Sequence, residues 1–328
     1  MAILVTGGTG LVGSQLVEDL IDKGSPPCTI RALVRRRSDA TFLRGKGVQL
    51  HYGDLLDHES LKAAMKGIRV VFHCAAALDE ERTELFWKIN CTGTEQLLEV
   101  ARLAGVEKFI HISTVGIYGL LERTPASEDH PQCPLRPYAA SKLAAERKVW
   151  EYQKMYGLKS VVLRPSAIIG ERDRTIARRV VGVVRRRVVP VPGGGKARVS
   201  FVHVKDVTRA MILASESETA VGKVYNVEGF SAPLREVVQF FIETVGSRAR
   251  IVHIPYPLAY VGALMIDGFY AVVRGAHPPL RARKGLQQVT RDWVFDTTRI
   301  RTDLQFEFRY GMVETFMPAI RWQLAHGD

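Results

Sequence analysis

The stretch TGGTGLVG at 6–13 limits what this chain can fold into more than any other. It follows the β-branched run AILVT (2–6) without a linker and leads into SQLVEDLIDKG, where Leu16, Val17, Leu20 and Ile21 share a helical face and Gly24 stops the helix. Gly7, Gly10 and Gly13 thus form a GxxGxxG turn between a strand and a helix. Such a turn is tight, lets backbone N–H groups approach a pyrophosphate, and aims a helix N-terminus at it. Glycine spacing alone is weak evidence, but this strand–turn–helix setting is the one that makes it a dinucleotide site. The expected contacts are Gly7, Thr9, Gly10, Leu11, Val12 and Gly13.

The same alternation continues. Strand-like runs recur at 2–6, 29–34, 48–52, 70–75, 108–113, 160–164 and 223–227, with amphipathic stretches between them. This pattern predicts an α/β fold of the Rossmann type: a doubly wound, mainly parallel seven-stranded sheet with helices on both faces. After about Pro165 the rhythm breaks into an arginine-rich helix, the PGGGK turn at 192–196 and proline-punctuated segments. The expected division is a dinucleotide-binding domain over 1–164, with segments near 199–227 returning to it, and a smaller irregular substrate domain over 165–328.

Composition narrows the class. With 328 residues, 46% hydrophobic and 24% charged, the chain has material for one large or two moderate soluble domains. Cys28, Cys74, Cys91 and Cys133 show no CxxC and no histidine at ligand spacing, which reads as reduced cytoplasmic thiols and no metal. No signal peptide is expected at the start. The net charge of +12 comes from scattered arginine clusters without interleaved aromatics, which argues against nucleic acid and suits acidic cofactors, anionic substrates or membrane headgroups. Leu258 to Val273 is too short to span a bilayer and contains Asp267. It reads as an oily lid, a core helix or a membrane-surface contact.

Strand two ends in ALVRRRSD, with Val34 where an NAD site would place an acid to bind the ribose 2′-OH. Arg35 and Arg36 instead suit the 2′-phosphate of NADP, with Ser38 as a further donor, so NADP is expected over NAD. Farther on, RPYAASKLAAE (136–146) places Tyr138 and Lys142 four apart, on one face of a helix. An ammonium beside a phenol favours phenolate, and so lowers a pKa of about 10. HISTVGIYG (111–119) sets Ser113 and Thr114 at the ligand-binding end of the fifth strand.

Taken in order, TGGTGLVG, GDLLD (53–57), HCAAA (73–77), NCTGT (90–94), HISTVGIYG, PYAASK (137–142), LRPSAIIG (163–170) and FVHVKDV (201–207) resemble the extended short-chain dehydrogenase/reductases over nearly the whole chain. Within them the chain looks most like the 3β-hydroxysteroid/sterol dehydrogenase and dihydroflavonol-reductase-like branch. The resemblance implies that Tyr138 is the general acid/base and that Lys142 tunes it and bonds the nicotinamide ribose. It implies that Thr114, backed by Ser113, holds the same substrate oxygen. Asp54 and Leu55 would meet the adenine, Ala75 and Ala76 would line the cofactor groove, and Pro165 would border the nicotinamide. Asn90 would cap a helix and support the site, while His203 and Asp206 are structural. Dimers are common in the group, so a homodimer is left open, as is a peripheral membrane contact.

Three functions follow. The first is an NADP-dependent oxidoreductase for an apolar ketone or secondary alcohol. The second is a nucleotide-sugar epimerase with tightly held nicotinamide, and the third a non-catalytic NADP sensor. The sensor is disfavoured because Thr114, Tyr138 and Lys142 are all present. A dehydratase wants an acid beside Thr114, where Val115 and Gly116 stand. An epimerase's diphosphate clamp would occupy Val199, with Arg198 off register and Arg172, Arg174 or Arg178 as substitutes.

Overall fold

The computed structural model describes residues 2–78, 83–273 and 282–327. Strands β1 (Ile3–Thr6), β2 (Ile30–Val34), β3 (Gln49–Tyr52), β4 (Val70–His73), β5 (Lys108–Ile112), β6 (Ser160–Pro165) and β10 (Val224–Val227) form one seven-stranded sheet. Its order is β10-β6-β5-β4-β1-β2-β3, and every pairing is parallel. The seven strand-like runs read from the sequence are these seven strands.

Alternation along β1 shows why both faces are covered. Ile3 and Val5 point into one apolar cluster, with Leu16, Val17 and Leu20 of helix Leu11–Asp22 and Met211 of helix Val204–Glu216. Leu4 points into the other, with Leu61, Leu97, Leu98 and Val149 from three helices on the opposite face. The chain winds outward in one direction from β1 and in the other from β4, so the sheet's topology switches between them. Ligands bind in such sheets outside the strand ends at that switch, where Thr6 and His73 are register partners.

The second lobe is more ordered than its sequence suggests. β7 (Ala167–Ile169), β9 (Arg198–His203) and β11 (Phe230–Pro233) form a three-stranded sheet, and β8 (Val188–Pro192) pairs in parallel with β12 (Arg250–Ile254). Phe201, Phe241, Phe316 and Ile320 centre a separate apolar cluster there. One expectation is corrected: of the segments near 199–227, only β10 rejoins the large sheet. β9 pairs with β7 and β11 instead, because its apolar run finds its partners after β6 has ended.

Tyr256–Val273 is helical, but it is no core helix. Leu258, Met265 and Phe269 are 66%, 71% and 61% exposed, and the helix packs on helix Ala282–Val289, where Asp267 accepts from Ala282 N and Arg283. Among the described residues no helix is long and apolar enough to cross a membrane. All four cysteines are unbridged.

Candidate active site

At the switch point the chain leaves β1 through Gly7 (φ +70°), where a Cβ would lie 2.6 Å from Ala75 N. A Cβ on Gly13 would lie 2.3 Å from Gly7 O. Only glycine permits either approach. Helix Leu11–Asp22 starts at Gly10 with no side-chain cap, so the N–H groups of its first turn, beside Thr9, Leu11 and Val12, are open to an anion. Ala75 faces this turn, with Ala76 next in sequence, and Ala75 N donates to Thr6 Oγ1 at 3.3 Å. These residues fit a dinucleotide pyrophosphate: a bare backbone cradle, an uncapped helix end and a small-residue wall.

Beyond β2, Arg35 and Arg36 are exposed, and among the described residues neither pairs with a carboxylate. Arg36 lies 5.9 Å from the Tyr52 ring centroid, and Ser38 N closes a turn on Arg35 O at 2.9 Å. Asp54 accepts from Leu56 N at 3.0 Å at the end of β3. Leu55 instead turns into the core, where a Cβ on Gly93 would stand 2.9 Å from its own Cβ.

Helix Pro137–Tyr156 opens with Pro137 and Tyr138 in its first turn, the Tyr138 ring 5.9 Å from the Phe86 ring. Thr114 caps the short 3₁₀ turn Val115–Tyr118, its Oγ1 accepting from Gly116 N at 3.1 Å. Its hydroxyl hydrogen is thereby left to donate elsewhere. Gly116 brings the two segments together: a Cβ there would lie 3.3 Å from Thr114 Oγ1 and 3.4 Å from Ala139 Cβ. Ser113 is buried, and its Oγ has no partner among the described residues. Pro165 ends β6 close by, and the Ser166 hydroxyl after it is likewise buried without a partner among them.

The expectation for Asn90 is corrected. It does not cap a helix but sits inside π-helical turns over Phe86–Thr92, a widening that is common at functional sites. Its amide accepts from Ala77 N at 2.7 Å and donates to Ser141 Oγ at 3.0 Å, and Ser141 donates to Tyr138 O at 2.7 Å. One side chain thus ties the segment at Ala77 to helix Pro137–Tyr156. His203 accepts from Lys205 N and stacks on Tyr310, while Asp206 accepts from Arg309 N.

Electrostatics supply a second correction. Desolvation pushes the Tyr138 phenol up to about 12, not down, and brings Lys142 down to about 8. The Lys142 Nζ is turned to His111 Nε2, 3.4 Å away, and burial outweighs any pull toward phenolate in the protein alone. Sequence reasoning missed His111, His73 and Ser141. The histidines lie in strands buried on both faces, where a side chain's partner leaves no trace in the apolar pattern.

Of the arginines considered as a diphosphate clamp, Arg198 bonds Ser231. Arg172 pairs with Glu18 at 2.6 Å and lies 4.4 Å from the Phe42 ring centroid, and Arg174 lies over Trp322.

Comparison with known proteins agrees with this geometry. The profile of the family described as "NAD dependent epimerase/dehydratase family" matches residues 3–227. The chain is 31% identical over 318 residues, 94% of its length and 92% of the relative's, to the 4-hydroxy-2-methyl-3-oxo-4-farnesyl-3,4-dihydroquinoline-1-oxide ketoreductase of Stigmatella aurantiaca. It is 32% identical to sterol demethylase protein B of Methylococcus capsulatus, over 81% of each chain. Among solved structures, Thermus thermophilus UDP-glucose 4-epimerase in complex with NAD is similar at a TM-score of 0.76, with 28% identity and coverage of 99% of this chain and 100% of that one.

Proposed function

The chain belongs to the NAD dependent epimerase/dehydratase family of enzymes, and from that premise we propose that it is an NADP-dependent oxidoreductase acting on an apolar ketone or secondary alcohol. The observation that supports the proposal is the close approach at Gly116, where a Cβ would lie 3.3 Å from Thr114 Oγ1 and 3.4 Å from Ala139 Cβ, the neighbour of Tyr138 in the first turn of helix Pro137–Tyr156. When bound, the nicotinamide supplies or takes up the hydride.

The protein's own part is proton and charge management. Reduction of a carbonyl builds negative charge on oxygen; Thr114 donates its free hydroxyl hydrogen there, and Tyr138 delivers the proton. The phenol is protonated at neutral pH, and positive charge brought beside it eases release of that proton. Lys142 serves the nicotinamide ribose and, once drawn to it, adds positive charge beside Tyr138 for the reverse step. Gly7, Gly10 and Gly13 hold the pyrophosphate, with Thr9, Leu11 and Val12. Arg35, Arg36 and Ser38 receive the 2′-phosphate, Asp54 the adenine, and Pro165 borders the nicotinamide.

An apolar substrate is supported by the ketoreductase and sterol relatives and by the exposed oily stripe of helix Tyr256–Val273. That stripe also supports a peripheral membrane contact. A homodimer is proposed from the resemblance alone, and light scattering in solution tests it. The epimerase reading rests on the family description and the sugar-nucleotide neighbour; Arg172 and Arg198 are engaged elsewhere, while Arg178, also a clamp candidate, is exposed.

The test is turnover of wild type and Tyr138→Phe on apolar ketones and alcohols and on nucleotide sugars, with NADPH/NADP and NADH/NAD. Net change in reduced cofactor on the apolar panel, faster with NADPH and lost in Tyr138→Phe while cofactor still binds, is the expected result. Sugar interconversion without net cofactor change would replace the proposal with the epimerase.

A further inference from the structure

Behind the catalytic helix, two histidines that the proposed chemistry does not use stand side by side. His73 on β4 and His111 on β5 are register partners, both fully buried, with ring centroids 5.3 Å apart. His73 is committed at both nitrogens. Thr94 Oγ1 gives its hydrogen to Asn90 O at 2.7 Å, so at 2.8 Å from His73 Nε2 it accepts. That leaves His73 Nδ1 to accept from the Thr6 hydroxyl at 2.7 Å. Every hydrogen in the chain is assigned, and His73 is neutral with its proton on Nε2.

His111 is arranged the other way. Its Nε2 lies 3.4 Å from Lys142 Nζ, and its Nδ1 is buried with no partner among the described residues. An ammonium only donates, so Nε2 must present its lone pair and the ring proton must sit on Nδ1, where nothing receives it. A buried donor without an acceptor calls for a reason. The contact with Lys142 supplies one.

We propose that His111 is a positioning residue whose neutral imidazole accepts from the buried Lys142 ammonium and holds it in its charged form at the inner face of the catalytic helix. This rests on the reading of Lys142 given above. Among the other groups facing Lys142, Glu146, one turn along the helix, favours the ammonium through its charge, but both its carboxylate oxygens are hydrogen-bonded to Arg164, so the direct acceptor is His111. The Cys74 thiol is raised to about 12 and so stays neutral, Tyr138 is a neutral phenol, and His73 is spent on two threonines. Burial draws Lys142 down to about 8, and an acceptor on the ammonium opposes that draw. Removing the acceptor lowers the pH at which Lys142 loses its proton. Activity that needs the ammonium is present below that pH and lost above it, so the alkaline limb of the pH profile must move down.

Two measurements test this. Long-range ¹H–¹⁵N spectra of the cofactor-free protein at pH 6.5 are expected to show His111 as the Nδ1–H tautomer and His73 as the Nε2–H tautomer. His111 in the Nε2–H form would overturn the proposal. This readout needs no turnover and no variant, so it stands apart from the functional reading. The pH dependence of kcat/KM is then compared in wild type, His111→Phe, which keeps a ring without an acceptor, and His111→Gln, which restores one. The alkaline limb of His111→Phe is expected about one pH unit lower, roughly a tenfold loss on that limb, with His111→Gln returning toward wild type. An unmoved limb, even with a lowered melting temperature, would make His111 a packing residue and end the proposal.

Discussion

Glu228 follows β10 into the interior, where its carboxylate accepts from Phe295 N at 2.6 Å. Burial raises this carboxyl from its ordinary 4.5 to about 7. A carboxyl raised in the fold contributes most below its unfolded value and loses that contribution as pH rises through the folded one. Glu228→Gln should therefore match wild type in thermal stability near pH 5 and exceed it at pH 8, as read by melting temperature across that range. A gap that does not widen with pH would mean that the carboxylate is accommodated without cost. At this scale the placing of the glycine cradle, Tyr138, Lys142 and Thr114 on their elements was legible in the sequence, because each sits at a fixed offset from a strand end or helix start. Glu228 and His111 were not. Their chemistry comes from what faces them across strands more than thirty residues apart in the chain, and spacing along one segment carries no record of that.

Helix Tyr256–Val273 shows a similar limit for whole elements. Its apolar run left a lid, a core helix and a membrane contact open; it is a helix, and Leu258, Met265 and Phe269 face outward. Changing all three to serine removes little buried area, so the melting temperature should hardly move, since substitutions away from packed features cost within about 0.5 kcal/mol each. Co-sedimentation with anionic phospholipid vesicles should fall in the triple variant if the stripe meets a membrane. Equal sedimentation of variant and wild type would remove that role. β9 gives the strand counterpart: an apolar run of the right length identifies a buried strand, but the choice between two sheets depends on which edge lies open beside it.

Across the whole molecule, one buried network joins segments far apart in the chain. Arg164 of β6 holds Glu146 of helix Pro137–Tyr156, Tyr118 Oη at 2.7 Å and Glu128 O at 2.9 Å. Tyr118 in turn donates to Asn226 Oδ1 of β10 at 2.7 Å, whose amide reaches Ala126 O and Asp296 O. Removing one member strands a buried charge. Glu146→Gln should cost about 3–5 kcal/mol in denaturant unfolding, and Arg164→Met with Glu146→Leu should cost less than the single change. A single change costing under about 1 kcal/mol would show that the pair is not paid for by its neighbours. The position of β10 also bears on how the chain is made. Its strand is the last of the large sheet to leave the ribosome, and until residue 227 has emerged the outer edge of β6 has no neighbour. Synthesis must therefore lay down β7, β8 and β9 of the second lobe before the first sheet can close. The two lobes are threaded through each other in time as well as in space, and a nascent chain halted near residue 165 carries an open parallel edge of the kind that invites association with its neighbours.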